Sequence, residues 1–374
     1  MKILETLDVY RETAQQPELW QKIYADMMLV KDGLRGFLDS VLKPDSEVVF
    51  VGAGSSFFVG EMVAGYFQEK TGFTTKAVST TEIVTYPEHY ISKRKPVLLV
   101  SFARSGNSPE SVAAAKMVQK TNPDTAHLII TCNKEGKLAK CHSFKNRYVY
   151  LLPDEANDKA LAMTSSVTSM ALVVLLLADI KNLNKQKKNI DQAALLAREA
   201  LNKFSNLLAR IASEDFERAV FLGSGPFFGV AHEAHLKVQE MTDGRLICKF
   251  DSFLGFRHGP KAVVDDKTLM VYFHSPHNRV RKYENDLVES INSEQNPAFK
   301  LGICSHCLSG NNYDAVITFS NKEIKMDEAF FMLVYLVPVQ LFSIYKSIEF
   351  GLNPDAPSKS GAIHRVVQGV KIYD

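Results

Sequence analysis

Short apolar runs, each ending in glycine, serine or charge, recur along the 374-residue chain, and stretches with helical spacing lie between them. Residues 47–51, 97–101, 126–132 and 147–152 read as strands. Helical patterns over 57–69 and 110–120 separate the first three, and this alternation predicts a parallel, doubly wound sheet. A long apolar helix is expected over 163–180, opening on Thr164, Ser165 and Ser166, and the polar stretch 181–192 is a candidate domain boundary. The second half repeats the order, with strands at 218–222 and 268–273 and helices over 226–242 and 280–293. Gly54 lies 47 residues before Ser101, and Gly225 lies 49 before His274. That register predicts two copies of one α/β unit, with helices on both faces of each sheet. The expected division is a helical leader over 1–34, a first domain over 35–190 and a second over 191–374. Within the leader, Leu19-Trp20-Gln-Lys-Ile-Tyr24 is an amphipathic piece.

The turns carry the candidate chemistry. The strand at 97–101 empties into Ser101-Phe-Ala-Arg-Ser-Gly-Asn-Ser108, and a helix opens at Pro109-Glu110. Backbone N–H groups at a helix start, the macrodipole and several hydroxyls favour a phosphate, and Arg104 adds positive charge. A plain capped turn needs only one or two such residues. Gly52-Ala-Gly54 also follows a strand, but Phe57 stands where a dinucleotide fingerprint needs its third glycine, and no Walker lysine follows. Gly54, Ser55 and Ser56 fit a second wall of a sugar-phosphate pocket, because open α/β sheets bind ligands beyond the carboxyl ends of their strands.

Lys and Arg total 44 against 42 Asp and Glu, and they are scattered, so no nucleic-acid surface is expected. Residues 1–8 show early acids and no apolar core, so no export signal is expected. The apolar stretch 329–345 is broken by Pro338, Gln340 and Ser343 and reads as a buried helix, not a membrane span. Five cysteines without an export signal point to reduced thiols in the cytoplasm. Cys304-Ser-His-Cys307 has the spacing of half a zinc site, but no second pair completes it, and no metal is expected.

The second copy lacks the serine-rich turn. It has Glu233, Lys237 and Glu240 at i, i+4 and i+7 of one helix, beside an apolar stripe of Val230, Ala234, Val238 and Met241. Glu233–Lys237 reads equally as a surface pair of about 0.3–0.5 kcal/mol. Glu240, beside the stripe, is a candidate general base. His258, between Arg257 and Gly259-Pro260, can pass protons or can simply be a loop histidine bonded to backbone.

Together these blocks resemble the double sugar-isomerase (SIS) architecture, the isomerase half of glucosamine-6-phosphate synthase, from about residue 35 onward. The blocks 101–111, Ala162-Met-Thr-Ser-Ser166, Gly255-Phe-Arg-His-Gly-Pro-Lys261 and Ile363-His-Arg-Val-Val-Gln-Gly-Val370 are similar to the galactosamine-6-phosphate deaminase/isomerase family, also labelled tagatose-6-phosphate ketose/aldose isomerase. The resemblance implies that Ser56, Arg104, Ser105 and Ser108, with Gly54, Ser55 and Asn107 beside them, hold phosphate. Ala103 stands where the synthase has a hydroxyl. Thr164 and Ser165 match a sugar-contacting helix start. Glu240 matches the base that moves a proton between C1 and C2, and Lys237 a lysine near substrate. His258 matches the ring-opening histidine, which the synthase takes from a neighbouring subunit; a homodimer or dimer of dimers with a shared active site is therefore expected. Lys359 and Arg365 compete for the place of a tail lysine.

The implied reaction is isomerising deamination of a 2-amino-2-deoxyhexose 6-phosphate, galactosamine 6-phosphate preferred, to tagatose 6-phosphate and ammonia. Every step is proton transfer or water addition, so no cofactor is needed. The stretch ahead of the first strand has no cysteine to act as a glutaminase nucleophile, so ammonia should be released, not supplied. Four alternatives stand beside it: an aldose–ketose isomerase without nitrogen chemistry, a glucosamine-6-phosphate deaminase, a glycated-amino-acid phosphate deglycase, and a sugar-phosphate-binding regulator. The last usually carries a helix-turn-helix segment that residues 1–45 do not offer.

Overall fold

The computed structural model describes residues 4–306, 312–320, 324–367 and 369–373. It divides into two compact units, one of residues 18–190 and 361–374, the other of residues 1–17 and 191–360. This differs from the linear division expected from sequence. The 1–34 stretch is not a leader: Trp20, Ile23, Met27 and Leu34 are fully buried, and the Trp20 indole donates to Thr168 Oγ1 at 3.1 Å. The last residues of the chain return to the unit of the first sheet. The boundary expected at 190/191 does coincide with a break between the two units, and it falls inside a helix, Leu183–Lys203.

The first unit holds β1 (Glu47–Gly52), β2 (Thr74–Ser79), β3 (Val97–Ala103), β4 (Ala126–Thr131) and β5 (Asn146–Leu151), in the order β2-β1-β3-β4-β5. The second holds β6 (Arg218–Gly223), β7 (Ile247–Asp251), β8 (Thr268–Phe273), β9 (Phe299–Cys304) and β10 (Ala315–Thr318), in the order β10-β9-β8-β6-β7. Every pairing is parallel. The two topologies are the same, as the register in the sequence predicts. Central strands β3 and β8 are buried at every position, which continuous apolar runs require when both faces are covered.

Six helices matter here: α1 (Ser55–Thr71), α2 (Pro109–Thr121), α3 (Ser165–Ala178), α4 (Pro226–Met241), α5 (Asn278–Glu294) and α6 (Phe331–Glu349). α3 is buried at every position, and beyond the hydroxyl-bearing residues of its start it is apolar all round. With the short turn ahead of it, α6 is the one described helix long and apolar enough to cross a membrane, yet 89% of that window is buried inside the protein. It packs on α4 within the second unit.

The turns β1–α1 and β6–α4 share one construction. A Cβ on Gly52 would sit 2.4 Å from the Ser56 backbone, and one on Gly223 would sit 1.9 Å from the Phe227 carbonyl. Only glycine lets strand end and helix start approach so closely. Two residues on, Gly54 and Gly225 hold φ of 54° and 57°, a left-handed conformation at each N-cap.

Candidate active site

In the first unit the candidate anion site lies at the carboxyl ends of the neighbouring strands β1 and β3, where the strand order reverses. Ser55 and Ser56 are buried at the start of α1, and Gly54 is exposed. The turn 104–108 leads into α2 and is braced from the next loop. Asn133 Nδ2 donates to Ser105 O at 2.8 Å, the Leu138 N–H to Gly106 O at 3.0 Å, and the Lys137 N–H to Asn107 Oδ1 at 3.0 Å. Asn107 is therefore a brace, with its side-chain oxygen turned toward the 133–138 loop. Ser105 Oγ accepts from the Asn107 N–H at 3.2 Å, and the Ser108 hydroxyl donates to Ser111 Oγ at 2.6 Å. Ser105 and Ser108 stay partly exposed at the mouth of α2.

Two expectations need correction. The Arg104 guanidinium is not free to serve the turn as an anion ligand. It is buried, and it donates to Ala160 O at 3.3 Å, to Leu161 O at 3.1 Å and to Arg365 O. Nor do Thr164 and Ser165 offer their hydroxyls outward: both are buried, and both donate to the carboxylate of Asp158. Sequence reasoning missed Asp158, because Asp154-Glu-Ala-Asn-Asp158 offers several acids and nothing in the pattern singles one out. The bracing Asn133 was also missed, although a polar turn with Gly136 after a strand was a usable signal.

Burial pushes the Cys132 thiol pKa up, and Asp158 adds to the rise while Arg104 and Arg365 act against it. The Arg365 side chain donates to Asp158 O and to Asn157 Oδ1. Lys359, its competitor for the tail position, belongs to the other unit, where its backbone N–H donates to Asp243 Oδ2 at 3.3 Å.

In the second unit, α4 presents the candidate acid–base groups. Lys237 is 2% exposed in its side chain, and its Nζ lies 3.3 Å from both Glu233 Oε1 and Glu240 Oε2. Glu233 is equally buried, so this is no surface pair; Glu240 is 24% exposed. Burial works to lower the Lys237 pKa, but the two carboxylates outweigh it and raise it above the ordinary lysine value. The result is a charged lysine in a dry setting with one partner carboxylate open to a ligand. Removing either partner from so buried a pair costs about 3–5 kcal/mol.

His258 is exposed, in the turn after the short helix Phe253–Phe256, and its backbone N–H donates to Gly255 O at 3.0 Å. Cys304 is buried, with its thiol on Ile317 O at 3.6 Å, while Cys307 lies outside the described residues. Among the described residues no cluster of His, Cys, Asp or Glu is placed to hold a metal ion.

The paired parallel sheets, the glycine turns and an anion-suited helix mouth define a protein of the sugar-isomerase class, and the SIS domain model matches residues 42–179. Over 97% of its length the chain is 36% identical to D-galactosamine-6-phosphate deaminase of Shewanella sp. (strain ANA-3), of which it covers 91%. A solved chain from Clostridium novyi NT superimposes with a TM-score of 0.94 at 39% identity, covering 98% of this chain and 95% of that one. The tagatose-6-phosphate ketose/aldose isomerase of Escherichia coli gives a TM-score of 0.89 at 32% identity, with 98% and 96% covered. The chain belongs to the SIS-domain family of D-galactosamine-6-phosphate deaminases and tagatose-6-phosphate ketose/aldose isomerases.

Proposed function

We propose that the protein converts a 2-amino-2-deoxyhexose 6-phosphate, galactosamine 6-phosphate by preference, to tagatose 6-phosphate and ammonia. The observation that carries this reading is the Glu233–Lys237–Glu240 row, two buried members steadying one accessible carboxylate. The phosphate is assigned to the turn 104–108 and the start of α1, through Ser56, Ser105, Ser108 and backbone N–H groups. Binding there holds C1 and C2 of the open-chain sugar in place. Glu240 takes the C2 proton, giving an enolamine, and returns a proton at C1. The C2 imine that results is hydrolysed, water supplying the ketone oxygen and ammonia leaving. Lys237, kept charged, holds the Glu240 carboxylate oriented.

His258, exposed on its own unit, is assigned ring opening in a partner copy, so the protein works as a homodimer or dimer of dimers. The four described cysteines are free thiols, which suits a reducing cytoplasm. A second reading, aldose–ketose isomerisation without loss of nitrogen, draws on the name of the E. coli relative and uses the same base. A coupled ammonia assay with galactosamine 6-phosphate, glucosamine 6-phosphate and a glycated-lysine phosphate tests the proposal. Ammonia release fastest from the galacto epimer is expected. Interconversion of tagatose and galactose 6-phosphates with no ammonia from any amino sugar favours the second reading. Binding without turnover of any of them favours a regulator.

A further inference from the structure

In the first unit a dense set of polar contacts centres on Asp158, which is fully buried. Its carboxylate accepts from the backbone N–H groups of Thr164, Ser165 and Ser166 at 2.9, 3.1 and 2.9 Å, and from the hydroxyls of the same three residues. The start of α3 is thus already filled by an anion from within the chain. The same bonds tie the two ends of the 159–163 segment together, making it a closed loop.

The loop and the two residues ahead of it offer oxygens to two arginines. Arg104 Nη1 donates to Ala160 O and Leu161 O. Arg365 Nε donates to Asp158 O at 2.8 Å, and its Nη2 to Asn157 Oδ1 at 2.8 Å. Arg104 Nη2 then donates to the backbone carbonyl of Arg365, closing a ring from the turn after β3, through the loop, to the chain's last segment. Asp158 accepts in every one of its carboxylate bonds. An amide in its place would turn an NH2 group toward donors, and the loop would lose the anchor on which both arginines depend.

We propose that Asp158 is a positioning residue for the reaction: by closing the 159–163 loop it holds Arg104 out of the phosphate seat and fixes residues 361–367 as a wall beside the turn 104–108. The inference rests on the assignment of phosphate to that turn. The seat is then built from hydroxyl and backbone N–H groups, and its shape depends on a carboxylate that touches no substrate atom. Loss of the knot weakens grip on the phosphate end and leaves the proton transfer at Glu240 largely intact.

The test uses the full-length chain with Asp158→Asn and Arg365→Gln, the second of which changes only a part-exposed side chain and guards against a folding failure in the first. Amide hydrogen exchange over residues 361–367, measured without substrate, is expected to quicken by roughly tenfold or more in both variants. KM for galactosamine 6-phosphate is expected to rise about tenfold, with kcat within about threefold of the unaltered protein. A merely structural Asp158 lowers Tm and kcat and leaves KM alone, which overturns the proposal. So does an Arg365→Gln protein whose tail exchanges faster at unchanged KM, or one whose tail exchange does not change. If the unaltered protein turns over no amino-sugar phosphate, the functional reading fails by itself. The knot is then judged from the Kd of inorganic phosphate: a rise in both variants supports it, and an unchanged value overturns it.

Discussion

The turn after β3 and the turn after β8 occupy the same place in two copies of one fold, and their side chains are arranged in opposite ways. Val51 pairs with Ser101 and Gly223 with Phe273, so Ala103 and His274 stand at matching positions, with Arg104 and Ser275 next. After β3 the turn runs to a helix mouth where Ser105 and Ser108 remain partly exposed. After β8 the corresponding space is filled from within. Glu284, fully buried on α5, accepts from the Ser275 N–H at 3.0 Å and contacts His274 Nδ1 at 3.2 Å. Glu328 accepts from the Ser275 hydroxyl, and the far side of His274 meets the Tyr313 hydroxyl at 2.9 Å. A phosphate brought to this second turn would meet two carboxylates. The backbone device is the same in both copies, seen in the matched glycines, while the side chains differ. The copy whose turn is filled carries the proposed acid–base row on α4.

The largest effect that sharpens this division is on α4. Glu240→Gln is expected to lower kcat by about 10²–10⁴-fold, while affinity for the phosphate ester stays within about threefold of the original. Steady-state ammonia release and calorimetric titration read the two separately. A large loss of binding would make Glu240 part of the phosphate grip and erase the division of labour.

Acid should weaken both copies through histidines held neutral by burial. Burial lowers the pKa of His127, beside β5 on β4, to about 4, and that of His235, on α4, to about 4. Between pH 6.5 and 4 the unfolded chain binds protons that the folded chain refuses, so stability falls as pH falls through that window. For His127 the loss by pH 4 is of order 3 kcal/mol at most. Its ring stacks on Phe144 with centroids 3.9 Å apart, so His127→Phe keeps the packing and is expected to flatten the slope of Tm against pH. An unchanged slope would mean the ring is protonated in the folded state.

Much of this arrangement could be read in advance, and the failures have physical causes. Strands β1, β3, β4, β6 and β8 announced themselves because both faces are covered and most of their residues are apolar, whereas β9, Phe-Lys-Leu-Gly-Ile-Cys, lies inside its sheet and was passed over with its short neighbour β10. β2, Thr-Thr-Lys-Ala-Val-Ser, and β7, Ile-Cys-Lys-Phe-Asp, are half-exposed edges with mixed polarity, and the pattern passed over both. The i, i+4, i+7 spacing found the α4 row, but its burial is decided by what packs over the helix, which spacing does not contain. The hydroxyls were legible as residues and not as directions: Ser108 donates to Ser111, and Thr164 and Ser165 to Asp158. Arg104 looked like an anion ligand because a sequence displays charge and conceals the carbonyls that claim it.

Glu284→Gln probes the filled turn directly. The neutral amide keeps the volume but loses charge-assisted bonds to Ser275 and His274, and a stability loss of about 1.5–3 kcal/mol is expected. KM should stay where it was, because the proposed substrate seat is the other turn. Calorimetry of the unaltered protein should give one phosphate ester per chain; two per chain would show that the second seat is open and break the comparison.

The smallest and most local effect is expected at Ser105, whose hydroxyl is partly exposed and also accepts from the Asn107 N–H. On the proposed assignment, Ser105→Ala removes one neutral donor to a phosphate dianion. That change is worth about 1.4 kcal/mol, a tenfold rise in KM with kcat nearly unchanged. Because the same hydroxyl also supports the turn, the inhibition constant of inorganic phosphate separates the two roles. A lost ligand raises it in step with KM, whereas a loosened turn lowers Tm without that parallel. Ser275→Ala in the other copy is the matched control: it removes a hydroxyl at nearly the same place in the fold and should leave both constants unmoved. Equal responses at Ser105 and Ser275 would mean that neither turn is the seat, and the anion would then have to be sought at the start of α1, on Ser55 and Ser56.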